Sequence, residues 1–382
     1  MGSSFYGKKL KLGVLGGGQL GRMLIQEAIN LDVFVSILDP SKDAPCAEIA
    51  NDFVCGDFND EESVYQFGRD KDVITVEIEH VSVPALERLK GEGVKVYPDP
   101  EVLKIIQDKG LQKQFFRLNK IPTSAYSLTA TREELIAAVQ GKSCVQKLRT
   151  GGYDGKGVKV ISASTNTADL LDGPSVIEEL VDIDQEISVI VARNADGEVK
   201  TFPVVGMEFD AEANLVDRLF SPAQITAAQE TIAADLAVKL VEAFNFVGLM
   251  AVEMFIDKKG DILINEVAPR PHNSGHQTIE GNYTSQFAQH LRSILNLPLG
   301  ATEIIQPSVM VNVLGAPGFT GPVEYEGIES ILKIPGCYPH LYGKTETKPW
   351  RKMGHVTVLG ATLEEANNKA SQVKKMLKVI SK

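Results

Sequence analysis

Glu253 and Glu266 flank a turn signal, Asp257-Lys258-Lys259-Gly260-Asp261, that separates two apolar runs, Leu249 to Ile256 and Ile262 to Ile264. Pairing Asp257 with Ile262 across that turn sets Glu253 directly opposite Glu266, the latter at the strand's end. Like charges facing each other in a ladder repel, so this register asks for a cation between them. Two carboxylates completed by phosphate oxygens are a ligand set that suits Mg²⁺. A slip of one residue would instead separate the pair and turn one acid to water. The second run continues as Asn265-Glu266-Val267-Ala268-Pro269-Arg270-Pro271-His272-Asn273-Ser274-Gly275-His276. Its two prolines stop any regular element and leave a stiff segment of Arg, His and Asn suited to holding a ligand.

Three further stretches carry chemistry. Residues 149–157, RTGGYDGKG, are glycine-rich but lack P-loop spacing, with strands expected on both sides. Such a loop closes backbone N–H groups over an anion, with Lys147 and Lys156 supplying charge, or is simply a hairpin tip. Glu178-Glu179 end one strand and Glu186 begins another; acids there accept from an adenine amino group or a ribose hydroxyl, or face water. Lys344, Lys348, Arg351 and Lys352 gather near Gly354 in an otherwise acidic chain, as a phosphate pocket would or as a solvated basic loop.

The elements that must position these groups follow from periodicity. Strand 11–16, a G-x-G-x-x-G turn (Gly16, Gly18, Gly21), a helix at 22–30 and a strand at 33–38 ending at Asp39 make a βαβ unit. Alone this suggests dinucleotide binding, although a tight turn needs the same glycines. Strand 73–76 runs into Glu77-Ile78-Glu79-His80, which puts Glu77 and Glu79 on one side at a carboxyl end, where open α/β sheets bind ligands. A helix over 101–119 carries Lys109. Thr131 and Glu134 form a capping box, and an apolar stripe predicts a core helix over 227–244. Beyond a helix at 285–295 the chain becomes β-rich and ends in a helix over 363–379.

A length of 382 residues predicts two or three domains. The net charge of −11 excludes a general nucleic-acid binder. No apolar run approaches membrane-spanning length, which predicts no membrane partner. Cys46, Cys55, Cys144 and Cys337 form no metal-type spacing and read as reduced thiols of a cytoplasmic protein.

GGGQLGRM at 16–23, EIEH at 77–80, RTGGYDGKG at 149–157, NEVAPRPHNSGH at 265–276 and RKMGH at 351–355 occur in the order of a known family. Over nearly its whole length the chain resembles the ATP-grasp superfamily, and within it the N5-carboxyaminoimidazole ribonucleotide synthetases. That resemblance implies an α/β and α+β fold. A Rossmann-like pre-ATP-grasp domain would span 1–100, an ATP-grasp domain with a glycine-rich lid 101–300, and a small β-rich domain 301–382. It implies a homodimer, ATP and Mg²⁺ as cofactors, and carboxylation of aminoimidazole ribonucleotide by bicarbonate through carboxyphosphate.

By the same resemblance Glu253 and Glu266 hold the metal. ATP would meet Lys109, Lys147, Gly152, Tyr153, Asp154, Gly155, Lys156, Gly157, Val158, Glu178, Glu179, Leu180, Val181, Glu186, Asn265 and Glu266. The ribonucleotide would meet Gln19, Leu20, Glu77, Tyr153, His272, Asn273, Ser274, Lys344, Arg351 and Lys352. Asp154, Arg270 and Lys352 would be catalytic, Asp154 orienting or deprotonating the amine. Met207-Glu208-Phe209 stands where the family has Asn-x-His, Lys348-Pro349-Trp350 where it has Arg-Pro-Gly, and Ala268 where many ATP-grasp enzymes have Asn. The alternatives are a formate-dependent glycinamide ribonucleotide transformylase, an NAD-dependent dehydrogenase, and a non-catalytic nucleotide-binding protein.

Overall fold

The computed structural model describes residues 10–152, 157–210 and 215–382. The chain opens with a parallel sheet built from β1 (Lys11–Leu15), β2 (Phe34–Asp39), β3 (Asp52–Cys55), β4 (Val73–Val76) and β5 (Lys95–Val96). Their spatial order is β3-β2-β1-β4-β5. The order reverses between β1 and β4, so the crevice at the carboxyl ends of those two strands is where a ligand site is expected. The turn at Gly16–Gly18 and the bend at Glu77–Glu79 both sit there. The helices Glu61–Gly68 and Val83–Gly91 complete this unit.

The helix expected over 101–119 is two helices, Pro100–Gln107 and Lys109–Leu118. Asp108 breaks it by taking extended backbone and capping the second helix through Gly110 and Leu111 N–H. Its carboxylate also receives Arg149 Nε at 2.8 Å and Nη2 at 2.6 Å. The break makes Lys109 the first residue of a helix, beside the glycine-rich loop. The box expected at Thr131 is half formed: Thr131 accepts from Glu134 N–H, but Glu134 reaches back to Ala130 N–H.

A four-stranded antiparallel sheet follows, β6 (Tyr126–Thr129), β7 (Cys144–Leu148), β8 (Val158–Ile161) and β9 (Ser175–Glu179), in the order β6-β9-β7-β8. Facing it is the large sheet, which contains β10 (Ile183–Arg193), β11 (Val199–Thr201), β12 (Val205–Asp210), β13 (Leu215–Ser221), β14 (Gly248–Asp257) and β15 (Ile262–Ala268). The helix Ala227–Ala243, opened by a capping box at Thr226 and Gln229, covers one face and buries Ala237, Leu240 and Val241 against Val189, Val252 and Ile264.

Beyond the helix Gln286–Ile294 come β16 (Ser308–Leu314), β17 (Gly321–Glu326), β18 (Cys337–Leu341), β19 (Glu346–Thr347) and β20 (Lys352–Leu359). The large sheet runs on without interruption from β13 to β16, β20 and β18. The last helix stops at Met376 rather than continuing to 379, and β21 (Lys378–Ser381) pairs with β17. Leu377 is extended, and the β-branched pair Val379-Ile380 completes a sheet edge better than a final helical turn.

Candidate active site

The register of the β14–β15 hairpin decides what its acids can do. Near the turn Ile256 pairs with Ile262 and Met254 with Ile264, one residue out from the expected pairing. A bulge then brings Glu253 opposite Glu266 after all. The bulge places an extra residue on β15, which is why Ile262, Ile264 and Val267 are all buried while Asn265 and Glu266 between the last two are not. The strand also runs two residues past Glu266, to Ala268, before the prolines end it.

Cations from two other elements meet this pair. Lys109 Nζ lies 2.5 Å from Glu266 Oε2, and Lys147 Nζ donates to Asn265 Oδ1 at 2.7 Å. Lys109 holds the Glu266 carboxyl far down the carboxylate range against the opposing effect of burial. Glu253 is pushed the other way, first by burial and then by the like charges of Glu266 and Glu186. Glu186 is pushed up to about 7 by burial, with Lys147 opposing. Ser188 pairs with Glu253 in the β10–β14 ladder, so Glu186, two residues away, shares its face.

Lys147 reaches further, to 3.3 Å from Glu178 Oε1, and Lys113 Nζ sits 3.1 Å from the same oxygen. Ser124 Oγ donates to Glu178 Oε2 at 2.8 Å. Glu178 is therefore buried and already matched by two cations and a hydroxyl, while Glu179 and Leu180 are exposed and Val181 half-buried. Lys113 was not among the residues expected here. Its one sequence signal is a helical offset of four from Lys109, which places both on one face.

At the β1/β4 crevice the glycine turn is occupied by the chain's own carboxylates. Leu20 N–H donates to Glu77 Oε1 at 3.1 Å and Gly17 N–H to Asp39 Oδ2 at 2.7 Å. A Cβ on Gly18 would lie 2.5 Å from Glu77 Oε1. The donors that would meet a dinucleotide pyrophosphate are thus spent on Glu77 and Asp39, which removes the dehydrogenase reading. Burial pushes Glu77 up to about 7, with Arg270 opposing. Glu79 is half-buried, and Arg270 Nε at 2.5 Å outweighs the desolvation and holds it at about 2. Arg270 thus spans from the post-strand segment to the first sheet.

His272 lies with Nδ1 3.7 Å from Glu253 Oε1 and 3.0 Å from Ser274 Oγ, which in turn meets Ser188 Oγ at 2.8 Å. Burial, with the charges of Arg270 and Lys352 nearby, lowers it to about 3, so the ring is neutral. Its backbone is held at both ends by the Gln286 carboxamide. Asn273 turns instead to Asn312, with its Nδ2 2.8 Å from Asn312 Oδ1 and the reciprocal bond at 3.1 Å.

The basic cluster is divided. The Lys352 charge is felt at Glu253 and His272, and the Lys344 charge at Glu77, with Lys344 Nζ donating to Lys352 O at 2.7 Å. Arg351, just before the strand, bonds Glu346 O at 2.6 Å and lies near Tyr325. Gln19 opens the helix Gln19–Asn30 beside the same crevice. In the β12 ladders Met207 pairs with Glu186, and Glu208 with Arg218, whose Nε is 3.2 Å away. Met207 shares the face of Glu186, and Glu208 is turned to Arg218 on the opposite face. Gly152, Gly157 and Val158 border the loop between β7 and β8; Tyr153, Asp154, Gly155 and Lys156 lie outside the described residues.

Two sheets, one antiparallel and small, one large and bearing a carboxylate pair, with lysines directed between them, define an ATP-grasp ligase. The family models agree: residues 9–107 match the ribonucleotide synthetase preATP-grasp domain, 114–287 the ATP-grasp domain, and 308–369 the phosphoribosylaminoimidazole carboxylase C-terminal domain. The chain is 39% identical over 357 residues to N5-carboxyaminoimidazole ribonucleotide synthase of Bacillus subtilis, covering 91% of each. It superposes on the crystal structure of the Thermotoga maritima synthetase with a TM-score of 0.90 at 43% identity, over 98% of this chain and 100% of that one. An Aspergillus clavatus synthase solved with ADP and 5-aminoimidazole ribonucleotide matches with a TM-score of 0.86 at 35% identity, over 96% and 98% of the two chains. The chain belongs to the N5-carboxyaminoimidazole ribonucleotide synthetase family.

Proposed function

We propose that this chain couples ATP hydrolysis to carboxylation of 5-aminoimidazole ribonucleotide by bicarbonate, giving the N5-carboxyamino product, ADP and phosphate. The observation that carries the reading is the pairing of Glu253 with Glu266 across a bulge, with Lys109 and Lys147 directed at that strand. Family membership supplies the substrate.

The donor set fits Mg²⁺. Glu253 and Glu266 are hard oxygen donors, and burial, followed by the like charge of Glu266, raises Glu253. Among the described residues no group of three or more His, Cys, Asp or Glu side chains is placed to cage a metal; Mg²⁺ bound with substrate phosphates needs only one or two carboxylates. The ion would supply charge neutralisation at the triphosphate. Lys109 would leave Glu266 for a phosphate, and Lys147 would bridge Glu178 and Asn265 to the phosphates. Glu186 would accept from the ribose.

Bicarbonate is a weak electrophile, and its attack on the γ-phosphate gives carboxyphosphate, which needs placement and dryness to survive. Arg270, fixed on Glu79, and neutral His272 would line the pocket of this intermediate, with Lys352 opposite. Glu77 would face the ribose and Lys344 the ribonucleotide phosphate, with Arg351 at the rim. Asp154 remains our candidate for the base at the amine. A cytoplasmic homodimer is the setting we propose. Its supports are the resemblance, four cysteines outside any disulfide, and the lack, among the described residues, of a helix long and apolar enough to cross a membrane.

The test is phosphate release from ATP and bicarbonate, with and without aminoimidazole ribonucleotide, against formate plus glycinamide ribonucleotide. Stimulation by the imidazole alone is expected, and its absence overturns the reading. Glu266→Gln should lower turnover at least a thousandfold; near-normal activity would displace the metal site.

A further inference from the structure

Three adjacent strands of the large sheet present a polar row to the chain that follows the carboxylate hairpin. Asn312 of β16 pairs with His355 of β20, and His355 with His340 of β18. Directly opposed residues share a face, so the three side chains stand side by side. Each meets one residue of the segment 273–280. Asn312 exchanges two hydrogen bonds with Asn273, at 2.8 and 3.1 Å. His355 stacks on His276 with ring centroids 4.5 Å apart and planes at 29°. His340 Nε2 meets Glu280 Oε1 at 2.7 Å. The spacing 273, 276, 280 is that of one helical face, and the segment is helical over Asn273–Gly275 and again over Thr278–Gly281.

The central contact, between His276 and His355, is buried, and further partners flank it. His276 and His355 are at most 1% exposed. His355 Nδ1 meets Tyr342 Oη at 2.9 Å, His276 Nδ1 meets Gln286 Nε2 at 3.0 Å, and His355 also stacks on His340 at 4.5 Å. Asn312 Nδ2 donates as well to Val216 O at 2.8 Å. Both sides of this junction carry site residues close by in sequence: Lys352 lies three residues before His355 on β20, and His272 adjoins Asn273.

We propose that Asn312, His355 and His340 are positioning residues, a clasp that holds the segment 273–280 in register with β20 and so fixes Lys352 relative to His272 and Glu253. Asn273, expected to touch substrate, belongs to this clasp through Asn312. The inference rests on the active-site reading above for what is being positioned, but its geometry does not. Lys352 and His272 come from elements far apart in sequence; the sheet ladder sets β20, and the three side-chain contacts tie to it the segment that leaves the ladder after Ala268. An error of about 1 Å in such placement costs on the order of a hundredfold in rate.

The experiment compares Asn312→Ala, Asn273→Ala, the double variant, and His355→Phe, which keeps the stacked ring and removes both nitrogens. Ribonucleotide-stimulated phosphate release gives kcat and the two KM values, and thermal unfolding gives Tm. The clasp predicts a loss of at least tenfold in kcat/KM for the ribonucleotide in both Asn variants, with KM for ATP within about threefold of the parent. The double variant should lose no more than the worse single one, because both break one contact. His355→Phe should keep more than half of the activity lost by Asn312→Ala. Multiplying losses in the double variant would mean separate roles and overturn the proposal. So would a lowered Tm with unchanged kinetics, which is what a merely structural junction gives. A parent enzyme without ribonucleotide stimulation would instead refute the functional reading, and the Tm values of the four proteins would still test whether Asn273 and Asn312 act as one contact.

Discussion

Replacing Lys113 by methionine removes one of the two cations that neutralise Glu178. Both side chains are almost wholly buried, Lys113 at 2% and Glu178 at 4% exposure, with Nζ and Oε1 3.1 Å apart. Burial lowers Lys113 to about 8, with Glu178 opposing, and the amine also donates to Ser124 Oγ at 3.1 Å. Breaking a buried pair from one side costs about 3–5 kcal/mol because a charge is left behind. Lys147 and the Ser124 hydroxyl still hold Glu178, which puts the expected loss at the low end, about 3 kcal/mol. An unfolding entropy of about 2.1 cal/mol/K per residue gives roughly 0.8 kcal/mol/K for the whole chain, so Tm should fall by about 4 °C. The control is Lys113→Met with Glu178→Gln, which removes the under-neutralised carboxylate while Lys147 keeps Asn265 Oδ1, and should restore at least half of the loss. Calorimetry reads both. A single variant within 1 °C of the parent, or a double variant no more stable than the single one, would refute this account. A kinetic consequence accompanies it: Lys147, drawn harder onto Glu178, should raise KM for ATP.

Gly18→Ala would put a methyl 2.5 Å from Glu77 Oε1 and displace that carboxylate from Leu20 N–H. KM for the ribonucleotide should rise more than tenfold with KM for ATP unchanged, and steady-state phosphate release in which both rise together would count against the assignment of Glu77. His290 is buried between Thr75 Oγ1, 2.9 Å from its Nε2, and Leu249 N–H, 3.2 Å from its Nδ1, and burial lowers it to about 3. The native state therefore refuses a proton that the unfolded chain accepts below about pH 6.5, so this stability is present above pH 6.5 and is lost as pH falls toward 3, by about 1.4 kcal/mol per pH unit. His290→Asn keeps an acceptor for Leu249 N–H and should flatten the slope of stability against pH, between pH 6 and 4.5, by that amount; an unchanged slope would place the acid sensitivity elsewhere.

Three elements were legible: the first βαβ unit, the hairpin carrying the two acids, and the core helix after Thr226. The failures share a cause. Asp108 has neither glycine nor proline beside it on its helical side, and it breaks a helix only because its carboxylate caps the next one and pairs with Arg149, a residue distant in sequence. Lys113 looks like any surface lysine until folding buries it against Glu178. The basic cluster near Gly354 is one run in the sequence, yet Lys352 opens β20 while Arg351, just outside the strand, bonds Glu346 O. In each case the deciding partner comes from another element, and no local window contains it.

The hairpin shows how an answer can be right while its reasoning is not. Counting back from the turn, a regular ladder with the observed Ile256–Ile262 pairing would set Glu253 against Asn265 and leave Glu266 on the apolar face with Ile262 and Ile264. The bulge prevents this by inserting a single residue. It turns two consecutive polar side chains, Asn265 and Glu266, toward one site, which an unbroken strand with its period of two cannot do. One then meets Lys147 and the other Lys109. The apolar pattern carries the trace of this device, because the buried positions step from 262 and 264 to 267 instead of 266. A strand whose hydrophobic period lengthens by one next to paired acids is thus a signal for a site that needs adjacent residues on one face.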